Sequence, residues 1–219
     1  MGCSIDGGRK TADRYLPFFS HTFGGQRSSV SGHLDEWETR WAAYDEPTYQ
    51  AVLRQIQPDD RVLDIGAGDL RLTRRMAERA KHVYAIELQP ALLANQTPLP
   101  ANLSLICGDA RRVRWPAGIT VGVLLMRHCT QVGLYAARLR SLGCQRLITN
   151  ARWRLDVEVV DLANRLPWTK VDLGWYACIC GQTGFKPGPP AQFTYERMDA
   201  IAEVETCPAC CNGCLQKRR

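Results

Sequence analysis

From Arg61 to Asn150, short apolar runs alternate with stretches in which apolar residues recur every three or four positions. Arg61 to Ile65, Val83 to Glu87, Leu103 to Ile106, Val121 to Met126 and Arg146 to Thr149 read as buried strands, rich in branched aliphatic residues. Helices are predicted from about Leu70 to Arg79, from Pro90 through Leu92 and Leu93, and from Val132 to Leu142. Regular alternation of strand and helix implies an α/β fold, a parallel-rich sheet with helices on both faces. Right-handed crossovers then bring the carboxyl ends of the strands to one edge, where ligands bind.

Upstream, residues 1 to 34 are rich in Gly, Ser and Arg without a period, and His21 to Gln26 reads as a loop. From Asp35, Trp37, Trp41 and Tyr44 recur at helical spacing. Such a row packs a helix onto the core or lines an entrance to a site. Pro47 suits the first turn of another helix through Tyr49, Val52, Leu53 and Ile56, ending near Pro58. The chain thus divides into an N-terminal segment, residues 1–50, over the active edge; an α/β domain, 51–172; and a cysteine-rich module, 173–219.

The first strand runs into Asp64-Ile65-Gly66-Ala67-Gly68-Asp69-Leu70. Two glycines one residue apart permit a tight turn and close backbone approach. Glu87 ends the second strand 23 positions after Asp64, and Asp109 follows the third strand 22 positions later. A carboxylate at the second strand's tip offers acceptors only, which suits the two hydroxyls of a ribose.

These residues resemble those of the class I S-adenosylmethionine (SAM) methyltransferases, which have a Rossmann-like fold. The likeness lies in Val62 to Gly68, Val83 to Glu87 and Ile106 to Ala110, across roughly residues 50 to 150. It implies that Asp64, Gly66 and Gly68 surround the methionine part of SAM and Glu87 holds the ribose. Asp109 would take the exocyclic amine of adenine, and the backbone amide of Ala110 the ring. A dinucleotide-binding dehydrogenase expects a third glycine beside a pyrophosphate, where this chain has Leu70. SAM has no pyrophosphate, so that departure is harmless.

In the family fold the methyl acceptor lies beside the end of the fourth strand, here Leu124-Leu125-Met126-Arg127-His128-Cys129. Enzymes acting on base amino groups resemble one another in an Asn or Asp, Pro, Pro, aromatic motif there, and this chain lacks it. The first half is somewhat like the ribosomal adenine dimethylases; the missing motif counts against adenine-N6 chemistry. His128 is the candidate general base, since its ordinary pKa lies near working pH; a histidine there also serves to orient a loop. Arg127 would hold an anionic acceptor or face solvent. Cys129 is a lesser candidate as a methyl-accepting nucleophile, a cysteine on an apolar strand being usually packing.

Six of the ten cysteines fall between Cys178 and Cys214. Cys178-Ile179-Cys180-Gly181 and Cys207-Pro208-Ala209-Cys210 form two knuckles that can converge on a tetrahedral ion. The tail resembles a zinc ribbon, with Gly184 to Pro190 suited to a hairpin arm and Phe193 and Tyr195 to a strand. Zn²⁺ is the expected metal; four thiolates also satisfy an iron–sulfur cluster. Cys211 or Cys214 would replace Cys210 as fourth ligand or be spare. An all-thiolate shell leaves no open position, so the metal reads as structural.

The formal charge of +6 comes from only five Lys but 23 Arg, the residue suited to forked bonds with phosphate. Arg111, Arg112 and Arg114 lie near the active edge, and Lys217-Arg218-Arg219 extends the tail. A nucleic acid is therefore the first acceptor considered, RNA ahead of DNA. A protein or small-molecule acceptor is the alternative, as is a non-catalytic subunit whose tail docks onto a partner. Met1 to Arg14 contains no apolar signal core, and the longest apolar run, Ile119 to Met126, is too short to span a bilayer. The expected location is the cytoplasm, with no membrane partner.

Overall fold

The computed structural model describes residues 43–94, 96, 98–152 and 156–210. Trp37, Trp41, the His21 to Gln26 loop, Cys211, Cys214 and the terminal basic run lie outside the described residues. Tyr44 lies outside any helix, just before the first described one: α1 is Glu46–Leu53, capped by the Asp45 carboxylate, which accepts from the Thr48 amide at 3.0 Å. Asp45 and Pro47 together fix that start, because a cap and a residue lacking an N–H favour a helix N-terminus.

The main sheet comprises β1 (Arg61–Ile65), β2 (His82–Glu87), β3 (Leu103–Cys107), β4 (Val121–Leu124), β5 (Arg146–Thr149) and β6 (Glu158–Asp161). Its order is β3-β2-β1-β4-β5-β6, parallel except for β6 against β5. Between β1 and β4 the winding reverses, so the crevice at their carboxyl ends is the place for a ligand. β6 is polar at Glu158 and Asp161, and its alternation is too short to signal a strand. β4 stops at Leu124, two residues before the predicted end, and Met126 begins a turn closed by the Cys129 amide on the Met126 carbonyl.

Helices α2 (Arg71–Ala77), α3 (Pro90–Leu93) and α4 (Val132–Ser141) connect the strands. One apolar cluster joins α1 and α2 to the sheet through Val52, Leu53, Met76, Val83 and Val123. A second, on Leu63, Ile65, Leu124, Leu139 and Leu147, packs α4 against the other face.

The cysteine-rich module is a three-stranded sheet, β8-β7-β9, formed by β7 (Gly174–Cys178), β8 (Thr183–Lys186) and β9 (Ile201–Val204). β7 and β8 are antiparallel, and β9 returns parallel to β7. The β7–β8 turn contains Cys180 and Gly181 (φ 93°), and Gly184 to Lys186 lie in β8, the returning arm of that hairpin, while residues 187–190 run beyond it. Phe193 and Tyr195 are not strand residues: Phe193 follows a short 3₁₀ turn and Tyr195 opens α5 (Tyr195–Asp199). Thr194 decides this, its hydroxyl accepting from the Arg197 amide as a helix cap.

Candidate functional site

The tips of β1 and β2 meet through backbone and carboxylate. The amides of Gly66 and Ala67 donate to the Ile86 carbonyl at 2.9 and 3.0 Å. Gly68 donates to Glu87 Oε2 at 2.8 Å, and the Gln89 amide to Oε1 at 2.8 Å. Glu87 therefore fastens the glycine turn to its own strand while keeping lone pairs on both oxygens. Gly66 (φ 75°) and Gly68 (φ 60°) occupy the left-handed region. At Gly66 a Cβ would also sit 2.6 Å from Met126 Cε, so a side chain arriving from the β4 tip fills that space. Leu70 adopts φ 65° as well, a conformation costing roughly 1–2 kcal/mol for a residue with a Cβ. Its fully buried side chain offsets this in the core.

Asp64 is buried and accepts a 2.6 Å bond from the Thr73 hydroxyl of α2. Burial pushes its carboxyl up to about 7; the Thr73 bond opposes this and the Glu87 charge adds to it. Among the described residues neither Asp64 nor Glu87 has a basic partner.

Asp109 lies beyond β3, where the Gly108 amide donates to the Glu87 carbonyl at 2.8 Å. Arg111 donates to it from both its amide (2.9 Å) and Nε (3.0 Å), and Arg112 lies 3.6 Å away. The Arg111 bond holds this carboxyl below its ordinary value. Arg111 and Arg112, two of the arginines near the active edge, thus sit beside an acid. Ala110 is buried, its carbonyl accepting from Trp115 Nε1 at 2.9 Å and from Arg138 of α4.

At the β4 tip, Arg127 and His128 are exposed and Cys129 is buried. The Arg127 amide donates to the Tyr44 hydroxyl at 3.1 Å, and its guanidinium lies 5.4 Å from the centre of the Tyr44 ring. Tyr44 in turn donates its own amide to the Tyr49 hydroxyl. The segment before α1 is thereby fixed over the candidate acceptor loop.

Cys178, Cys180, Cys207 and Cys210 converge, their sulfurs all within 4.8 Å of one another. Cys178 and Cys210 are 3.9 Å apart, Cys180 and Cys207 3.7 Å. Four sulfurs about 2.3 Å from a tetrahedral zinc stand about 3.8 Å apart. The knuckle abuts α4: a Cβ at Gly133 would lie 2.6 Å from the Cys180 carbonyl oxygen. Ile179, like Met126, packs against the cluster containing Cys129 and Val132.

A family model described as ribosomal RNA adenine dimethylase matches residues 45–132. A probable ribosomal RNA small subunit methyltransferase A of Methanosarcina mazei is 45% identical over 65 residues, covering 28% of this chain and 24% of that protein. The dimethyladenosine transferase of Saccharomyces cerevisiae is 37% identical over 68 residues, covering 28% and 21%. Over these residues the α/β domain is similar to SAM-dependent ribosomal RNA methyltransferases. The chain spans about a quarter of the length of the curated relatives it matches. A crystal structure of the 23S rRNA methyltransferase ErmE aligns with 48% of this chain and 46% of its own, at 21% identity and a TM-score of 0.42.

Within this fold the sequence left three polar positions unnoticed. Asn150, just past β5, is buried with neither amide atom paired among the described residues. Arg152 and Arg165 are buried cations that share Glu203 of β9; Arg152 also pairs with Glu158 of β6, joining the two sheets. Arginines this far inside are unusual, and no local pattern distinguishes them from the chain's other 21. No helix among the described residues is long and apolar enough to cross a membrane.

Proposed function

We propose that this chain is a SAM-dependent methyltransferase that modifies RNA in the cytoplasm. The observation that carries the reading is the pair Asp64 and Glu87, buried beside a glycine turn with no basic partner among the described residues. A ligand bringing positive charge and ribose hydroxyls fits that pair. SAM brings both, and when bound it supplies an activated methyl for in-line displacement, which needs mainly alignment. In this reading Asp64, Gly66 and Gly68 border the methionine portion and Glu87 accepts from the ribose. Asp109 and the Ala110 amide face the adenine, with Arg111 sharing the Asp109 carboxylate. Arg127 steadies an anionic acceptor and His128 takes its proton. The RNA assignment draws support from the matched family and the Arg-rich composition. It stops short of adenine N6, because the β4 tip reads Met126-Arg127-His128-Cys129.

The four sulfurs are read as a structural Zn²⁺ site. Burial raises the Cys178 thiol, and a divalent ion reverses that preference by displacing the protons. Elemental analysis of the purified chain tests this assignment; one zinc per chain is the expected content.

The decisive test of function is incubation with methyl-labelled SAM and an extract fractionated into RNA, DNA, protein and metabolites. Label in RNA, lost from a His128→Ala chain that still binds SAM, is the expected outcome. Label in protein or metabolites would displace the RNA reading. No transfer despite SAM binding would favour a docking subunit.

A further inference from the structure

We propose that Arg165 is an outer-sphere group of the cysteine site, its guanidinium supplying N–H donors to metal-bound thiolate. This rests on the reading of the four sulfurs as a metal centre. The Arg165 side chain is 1% exposed. Nη1 donates to Glu203 Oε2 at 3.1 Å and to the Val204 carbonyl at 3.2 Å, while Nε and Nη2 have no partner among the described residues. Unpaired donors sealed from water are costly, about 1–3 kcal/mol each and more when charged, so their persistence calls for an acceptor.

The acceptor at hand is sulfur. Val204 is paired with Cys178 across β7 and β9, and the carbonyl that takes Arg165 also accepts the Ile179 amide at 3.2 Å. The guanidinium is therefore held against the strand end that carries Cys178. A neutral thiol is a poor acceptor. Four thiolates around a divalent ion carry two net negative charges and need both hydrogen bonds and a counter-charge, and partners of this kind shape metal affinity. Glu203, shared with Arg152, fixes the guanidinium and leaves its other edge free.

The test uses the full chain loaded with Co²⁺, whose thiolate charge-transfer band reports donor strength at sulfur. Arg165→Met should shift that band and weaken Co²⁺ binding by about 10- to 100-fold in competition with a chelator. Arg165→Lys, which keeps charge without the fork, should recover part of the affinity. It decides the matter if the methionine variant fails to fold. A role confined to bracing Glu203 would lower thermal stability while leaving the band in place, and an unshifted band with affinity within about twofold overturns the proposal. A wild-type chain without any cobalt–thiolate band would instead refute the metal reading itself.

Discussion

The α/β domain and the cysteine-rich module solve the same problem with different means. Among the described residues, each face of the main sheet buries a cluster of sixteen apolar residues, ample to hold strands whose tips carry charge. The module's cluster has four buried residues among those described, two of them cysteines. Little apolar area is left to hold three short strands, so on the proposed reading the ordering comes largely from the ion the four sulfurs would hold. The first region can therefore keep Asp64 and Glu87 buried without a basic partner among the described residues. The second spends its buried polar atoms on its own assembly.

Breaking the sulfur site should produce the largest effect. A chelator, or Cys207→Ser, is expected to speed proteolytic nicking near residue 180 at least tenfold, given the large folding contribution of structural zinc. Melting of the α/β domain should change little; equal resistance with and without chelator would remove the contrast between the regions.

Next comes the charge in the α/β domain. With its carboxyl raised to about 7 from 3.8 by burial, Asp64 favours the native state fully only below about pH 4. That contribution is lost as pH rises to 7 and stays lost above it. Asp64→Asn should then stabilise the SAM-free chain at pH 8 by up to about 4 kcal/mol, with little difference at pH 4, while weakening SAM binding at least tenfold. Denaturant titrations at the two pH values, with SAM binding measured alongside, check both signs.

Gly133→Ala probes the seam between the two regions. The new methyl would meet the Cys180 carbonyl, and relieving that clash should cost about 1–3 kcal/mol, read as earlier melting of the module. A cost near zero would mean the knuckle does not bear on α4. The smallest effect is expected at Arg140 and Glu205, a half-exposed pair at 2.9 Å across the same seam. A double-mutant cycle should give a coupling of about 0–1 kcal/mol, screened by salt.

The main sheet was legible in the sequence because its strands are continuous apolar runs, and both Arg61–Ile65 and Arg146–Thr149 were bounded correctly. The carboxylates at its tips follow from strand spacing alone. The module was legible only through its cysteines. Phe193 and Tyr195 have strand-forming side chains, yet one cap from Thr194 turned the segment into helix. Tyr44, Arg152 and Arg165 act through partners far along the chain, and such pairings leave no local period; Asn150 is buried and unpaired among the described residues, which no local pattern signals either.

Calorimetric titration of SAM into the full chain and into Glu87→Gln, each first shown to melt normally, tests the central claim most directly. One SAM per wild-type chain, with affinity at least tenfold weaker in the variant, is the predicted result. A folded wild-type chain that takes up no SAM, or a variant that binds it equally well, would contradict the account.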